Sequence, residues 1–122
     1  MMIQVAYASK TGHVKKIVEK LGLTNALRIV KGDEKLDGEY VIFTYTIGLG
    51  KTPKAVEAFL AANPGVKAVV GSGSSSILHR KTFNFAAENI SKAYHVPILA
   101  KLDGVGTDED IAHIKAELEK LS

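Results

Sequence analysis

Short apolar runs alternate with segments whose apolar residues recur at helical spacing along nearly the whole chain. This alternation constrains the fold more than any single motif does. Strands separated by helical crossovers run parallel, and a parallel sheet needs both of its faces covered. Residues 2–8 alternate as a strand would, and Val14, Ile17, Val18 and Leu21 then share one helical face, with Gly22 placed to stop that helix. Residues 26–30 suit a second strand. The polar stretch 31–39 that follows is shorter than an ordinary right-handed crossover, so a reduced or missing helix is predicted there. Residues 40–44 are apolar nearly throughout, as in a strand buried on both faces.

Thr52-Pro53 reads as an N-cap with proline at the first helical position, and Val56, Phe59 and Leu60 form the buried face of that helix. Asn63-Pro64-Gly65 ends it, and residues 66–70 form the fourth strand. A helix over 82–94, with Phe83, Ala86, Ala87, Ile90 and Ala93 inward, leads to a fifth strand over 96–99. Thr107-Asp108-Glu109-Asp110 resembles a capping box, and Ile111, Ile114, Leu118 and Leu121 line the last helix. The prediction is an α/β fold, a doubly wound five-stranded parallel sheet of order 2-1-3-4-5 with helices on both faces.

At 122 residues the chain is expected to be a single domain, spanning 1–122. No apolar run approaches the roughly 20 residues of a membrane span, so no membrane partner is expected. The N-terminus shows no basic segment or cleavage site of a secretory signal, and a cytoplasmic location is expected. With no cysteine, disulfides, thiolate metal sites and thiol redox chemistry are excluded. Any electrons handled here must be carried by a bound cofactor. The net charge of +3 is mild, and there is no long basic stripe interleaved with aromatics, so nucleic acid is not an expected partner.

Charge placement says more than its sum. Three segments follow predicted strands: 9–15, 44–51 and 71–81. They contain Lys10, Lys15, Lys51, Arg80 and Lys81, with His13 and His79, and no carboxylate. In an open parallel sheet, ligands bind outside the carboxyl ends of the strands, so these loops should converge on one hydroxyl-rich, positive site. The acidic residues gather elsewhere in the sequence, at Asp33-Glu34, Asp37 with Glu39, Asp108 to Asp110 and Glu117 with Glu119.

Ser9-Lys10-Thr11-Gly12-His13-Val14 offers hydroxyls, a glycine turn and a helix N-terminus, which together suit an anion; a plain capped turn accounts for it equally well. One glycine there is too few for a dinucleotide fingerprint. Gly48-Leu49-Gly50-Lys51-Thr52 imitates the end of a Walker A loop, but Tyr45 stands where its first glycine belongs. The serines of 72–76 lack a nucleophile-elbow pattern and a triad order, and the scattered histidines lack companion ligands, so neither catalytic residues nor a metal site is expected.

Four blocks in register carry a resemblance to a known family: residues 7–14, residues 43–50, Pro53 with Val56 and Phe59-Leu60, and residues 87–91 leading to 94–98. Across nearly its whole length the chain resembles the flavodoxin-like NrdI proteins, small redox flavoproteins that partner class Ib ribonucleotide reductase. The resemblance implies bound FMN. It assigns Ser9, Lys10, Thr11, Gly12, His13 and Val14 to the phosphate loop. Thr44, Tyr45, Thr46, Gly48 and Gly50 match the loop under the ring system, and Ser72, Gly73, His79 and Phe83 match the third loop. It also implies that reduced flavin and dioxygen yield a superoxide-level oxidant for the dimanganese–tyrosyl radical cofactor of the reductase's small subunit. A flavodoxin reductase or similar protein would supply electrons, which makes the chain an accessory protein more than a stand-alone enzyme. One departure stands out: such proteins usually have a tryptophan near the position of His79, and this chain has none. Electron transfer as an ordinary flavodoxin, and partner binding without any cofactor, remain open alternatives.

Overall fold

A computed structural model describes residues 3–9, 12–23, 26–45, 52–73, 85–103 and 105–121. Among these residues the strands are β1 (Gln4–Tyr7), β2 (Leu27–Arg28), β3 (Tyr40–Tyr45), β4 (Val66–Gly73) and β5 (Ile98–Asp103). The helices are α1 (His13–Lys20), α2 (Lys54–Ala62), α3 (Phe85–Tyr94) and α4 (Asp108–Lys120). The sheet order is β2-β1-β3-β4-β5, and every pairing is parallel. This is the predicted topology.

Strand alternation sorts the core into two layers. Val5, Val41, Phe43, Ala68 and Val70 pack with Val14, Ile17 and Val18 of α1 and Ile114 and Leu118 of α4. Ala6, Tyr40, Ile42 and Val69 pack on the other face with Val56, Phe59 and Leu60 of α2 and Ala87 and Ile90 of α3. Each large apolar side chain so buried contributes about 1.5–3 kcal/mol. Tyr40, Val41, Ile42 and Phe43 are all fully buried, because β3 lies at the centre with helices over both faces. A bulge in β4 keeps the pattern in phase: Tyr40 pairs with Val66 but Val41 pairs with Ala68, which leaves Lys67 as the extra, exposed residue. Val66 and Val69 therefore share a layer.

Helix ends follow local chemistry. α1 closes in a Schellman motif, with Gly22 at φ 73°, its N–H donating to Glu19 O and that of Leu23 to Val18 O. At α4 the expected capping box forms: Thr107 Oγ1 accepts from Asp110 N at 3.1 Å and Asp110 Oδ2 from Thr107 N at 2.9 Å. α2 departs from expectation. Its N-cap is Pro53, not Thr52, and Thr52 is instead buried, accepting from Asn89 Nδ2. Ala93 is exposed in the last turn of α3, and the start of that helix expected at 82–84 lies outside the described residues.

The second crossover contains no helix, as its length predicts, and polar side chains hold it in place. Glu34 folds back so that its carboxylate accepts from the N–H groups of Val30, Lys31 and Gly32 at 2.8, 3.1 and 2.9 Å. Burial pushes the Glu34 carboxyl upward, but these backbone donors together outweigh it and hold its pKa below the ordinary value. Asn63, at the end of α2, accepts from Leu36 N and donates to Glu34 O and Phe59 O. Gly32 has φ 93° and sits against α2, where a Cβ would meet Ala55 O at 2.6 Å. A glycine is required there on both counts.

Candidate functional site

Parallel pairing brings the carboxyl ends of β1, β3 and β4 side by side. Tyr7 pairs with Phe43, and Ala8 N continues the ladder by donating to Phe43 O at 3.0 Å. Thr44 pairs with Gly71 and Tyr45 with Ser72. Ser9, Thr44, Tyr45, Ser72 and Gly73 thus lie along one edge of the sheet, on strands about 4.8 Å apart. β4 extends to Gly73, so Gly71-Ser72-Gly73, which the sequence places in a loop, is strand held by hydrogen bonding from β3 and β5 on either side.

On β1 the chain turns through Gly12 at φ 93°, the N-cap of α1, where a Cβ would have open space but a strained backbone. No side chain at Gly12 can cap the helix. Ser9 supplies that function, its Oγ accepting from Lys15 N at 3.3 Å. A hydroxyl accepting this bond retains its own proton for donation elsewhere. The N–H groups of His13 and Val14 belong to the first turn, where the helix has no internal partners for them. His13 is exposed, whereas the Val14 side chain is buried in the α1 core layer, so only its backbone is available to a ligand.

On β3, Thr44 is fully buried and its Oγ1 donates to Tyr45 O at 3.0 Å, which ties its side chain to the carboxyl end of the strand. Tyr45 is half-buried and touches the margins of both core layers, presenting a ring at the edge of the sheet. Ser72 is buried and Gly73 half-buried on β4. The remaining expected site residues, Lys10, Thr11, Thr46, Gly48, Gly50, His79 and Phe83, lie outside the described residues, as do Lys51, Arg80 and Lys81.

Two residues at this edge escape sequence reasoning. Arg28, at the end of β2, donates from Nη2 to Ser9 O at 3.4 Å. Its signal is the polar position between Leu27 and Ile29, both of which face the α2–α3 layer. Asp103 pairs with Gly73 because β5 runs over 98–103, not 96–99. The apolar run that marked the expected strand gives out at Ala100, while pairing with β4 continues. The backbone of Asp103 therefore reaches the same end of the sheet as Gly73. Among the described residues no group of three or more His, Asp or Glu side chains is arranged to hold a metal, and no helix is long and apolar enough to cross a membrane.

The sheet order, the glycine turn into α1 and the hydroxyl-bearing strand ends define a flavodoxin-like protein. Structural likeness agrees: a short-chain flavodoxin associated with a non-canonical PDU bacterial microcompartment superposes with a TM-score of 0.72 at 20% identity, covering 99% of this chain and 97% of that one. Flavodoxin 2 from Bacillus cereus gives 0.70 at 19% identity, with both chains fully covered. Residues 5–116 match the NrdI flavodoxin-like family, and the chain belongs to it. Protein NrdI from Bacillus licheniformis is 38% identical over 120 residues, 98% of this chain and 90% of that protein. Protein NrdI from Macrococcus caseolyticus is 34% identical over 119 residues, 97% of this chain and 90% of that protein. A flavin is the class of cofactor that this membership implies.

Proposed function

We propose that the carboxyl edge of β1, β3 and β4 binds FMN and that the protein serves class Ib ribonucleotide reductase as its accessory flavoprotein. The observation that carries this is the joining of Ser9, Gly12, Tyr45, Ser72 and Gly73 at one edge in a chain of the NrdI family. These residues fit a flat, phosphorylated ligand. Ser9 has a hydroxyl proton to give, the first turn of α1 offers backbone donors to a dianion, and the half-buried Tyr45 supplies aromatic surface. A single phosphate loop, without a second nucleotide fingerprint, favours FMN over FAD.

When bound and reduced, FMN would give an electron to dioxygen and so supply a superoxide-level oxidant for the dimanganese–tyrosyl radical centre of the small subunit. The chain's own part is to hold the cofactor and set the field around it. Lys10, Lys51, Arg80 and Lys81 belong to the segments that follow these strands in sequence, and their charge would favour the more negative reduced state and the retention of an anionic oxidant. A flavodoxin reductase or similar protein would supply electrons, and the cytoplasm is the compartment that this role requires. Chromatography of heat-released cofactor tests the reading. FMN is expected; recovery of FAD, or failure to take up FMN at micromolar concentration, would refute it.

A further inference from the structure

Arg28 stands on the edge strand at the level of the first loop, where Tyr7 pairs with it. Leu27 and Ile29 pack in the α2–α3 layer, so strand alternation turns Arg28 to the opposite face, the one covered by α1 and α4. The exposed side chain reaches past Tyr7 to the carbonyl of Ser9. Ser9 is the same residue whose hydroxyl accepts from the first turn of α1 through Lys15 N. A guanidinium carries five N–H donors in a fixed fork and stays charged at any relevant pH. One donor meets Ser9 O, and among the described residues the others have no partner, so the group can make further hydrogen bonds beside the helix N-terminus.

We infer that Arg28 is a specificity-determining residue for the phosphate end of the cofactor, adding charge at the first loop and holding Ser9 in register. This rests on the FMN reading above. Both roles follow from one contact: the bond to Ser9 O fixes the loop backbone, and it fixes the cation within reach of a dianion bound there. Arg28 would thus separate FMN from riboflavin, which shares the ring but lacks the phosphate.

The test compares FMN and riboflavin affinities, by fluorescence quenching on flavin-free protein, for wild type, Arg28→Gln and Arg28→Lys. Arg28→Gln is expected to weaken FMN binding about tenfold while leaving riboflavin within about twofold, and to flatten the loss of FMN affinity with rising salt. Arg28→Lys keeps the charge and should lose no more than about threefold. An equal loss for both flavins would mean that Arg28 only shapes the loop, and an unchanged preference for FMN would mean that it takes no part; either overturns the inference alone. Wild-type protein that shows no preference for FMN over riboflavin would overturn the FMN reading as well.

Discussion

Replacing Asn63 with alanine should destabilise the protein by about 2–4 kcal/mol, because one side chain ties the helix-free crossover to α2. Its amide makes three hydrogen bonds: it accepts from Leu36 N at 2.8 Å and donates to Glu34 O at 2.9 Å and Phe59 O at 3.0 Å. Each is worth about 1 kcal/mol net, and a partner left buried without a replacement costs about 1–3 kcal/mol. Asn63 is only 4% exposed, so water cannot take over all three roles without opening the crossover. The Phe59 carbonyl loses least, since it also accepts from Asn63 N at 2.9 Å. At about 2.1 cal/mol/K per residue, 122 residues give an unfolding entropy near 0.26 kcal/mol/K, so Tm should fall by roughly 8–15 °C. Thermal and urea unfolding of the flavin-free protein would measure this. Amide exchange at Leu36 should accelerate alongside. A loss below about 0.5 kcal/mol, with Leu36 still protected, would show that the crossover is held by something other than this network.

Glu34→Gln should cost about 1 kcal/mol at neutral pH, a modest figure because the residue is only half-buried and solvent screens part of its charge. Its folded pKa is lowered, so the stabilisation is fully present above the ordinary value of 4.5 and is lost as pH falls through the folded pKa; the gap between wild type and variant should close on acidification. A gap independent of pH would exclude the charge as its source. Thr11→Val should weaken FMN roughly ten- to a hundredfold and leave the fold intact, as loss of a hydrogen bond to a phosphate predicts; unchanged affinity in titrations would place the phosphate elsewhere. Lys51→Glu and Arg80→Glu should lower the potential for adding the second electron to the flavin. Unit charges ~7 Å apart at an effective dielectric of ~20 interact by roughly 2 kcal/mol, so shifts of tens of millivolts are expected after screening. Potentials unmoved in both variants would show that these charges do not act on the flavin.

The sheet was legible because burial on both faces leaves a plain signature. Residues 40–44 could hardly be anything but a central strand, and the stripes of α1, α2 and α4 match their buried faces. Strand ends were not legible. Past Val70 the chain changes to glycine and serine, past Ala100 to Lys101, and only pairing between β4 and β5 shows that both strands continue. Asp103 was missed for this reason. Arg28 was missed for another: its role depends on what β2 lies beside, and a two-residue edge strand carries little pattern of its own. The cap of α2 shows the same limit, since Thr52 fits an N-cap by type yet is drawn inward towards Asn89. Proline then takes the cap position, its carbonyl accepting from Val56 and Glu57.

Tyrosyl radical on the reductase would show directly whether this chain, loaded with FMN, activates a class Ib enzyme as proposed. The direct test mixes the reduced, FMN-loaded protein with manganese(II)-loaded small subunit, admits air, and counts tyrosyl radicals by electron paramagnetic resonance. Radical should form in proportion to the reduced flavoprotein added, and none should form when FMN is omitted. Rapid reoxidation of the flavin by air without any radical on the small subunit would contradict this role.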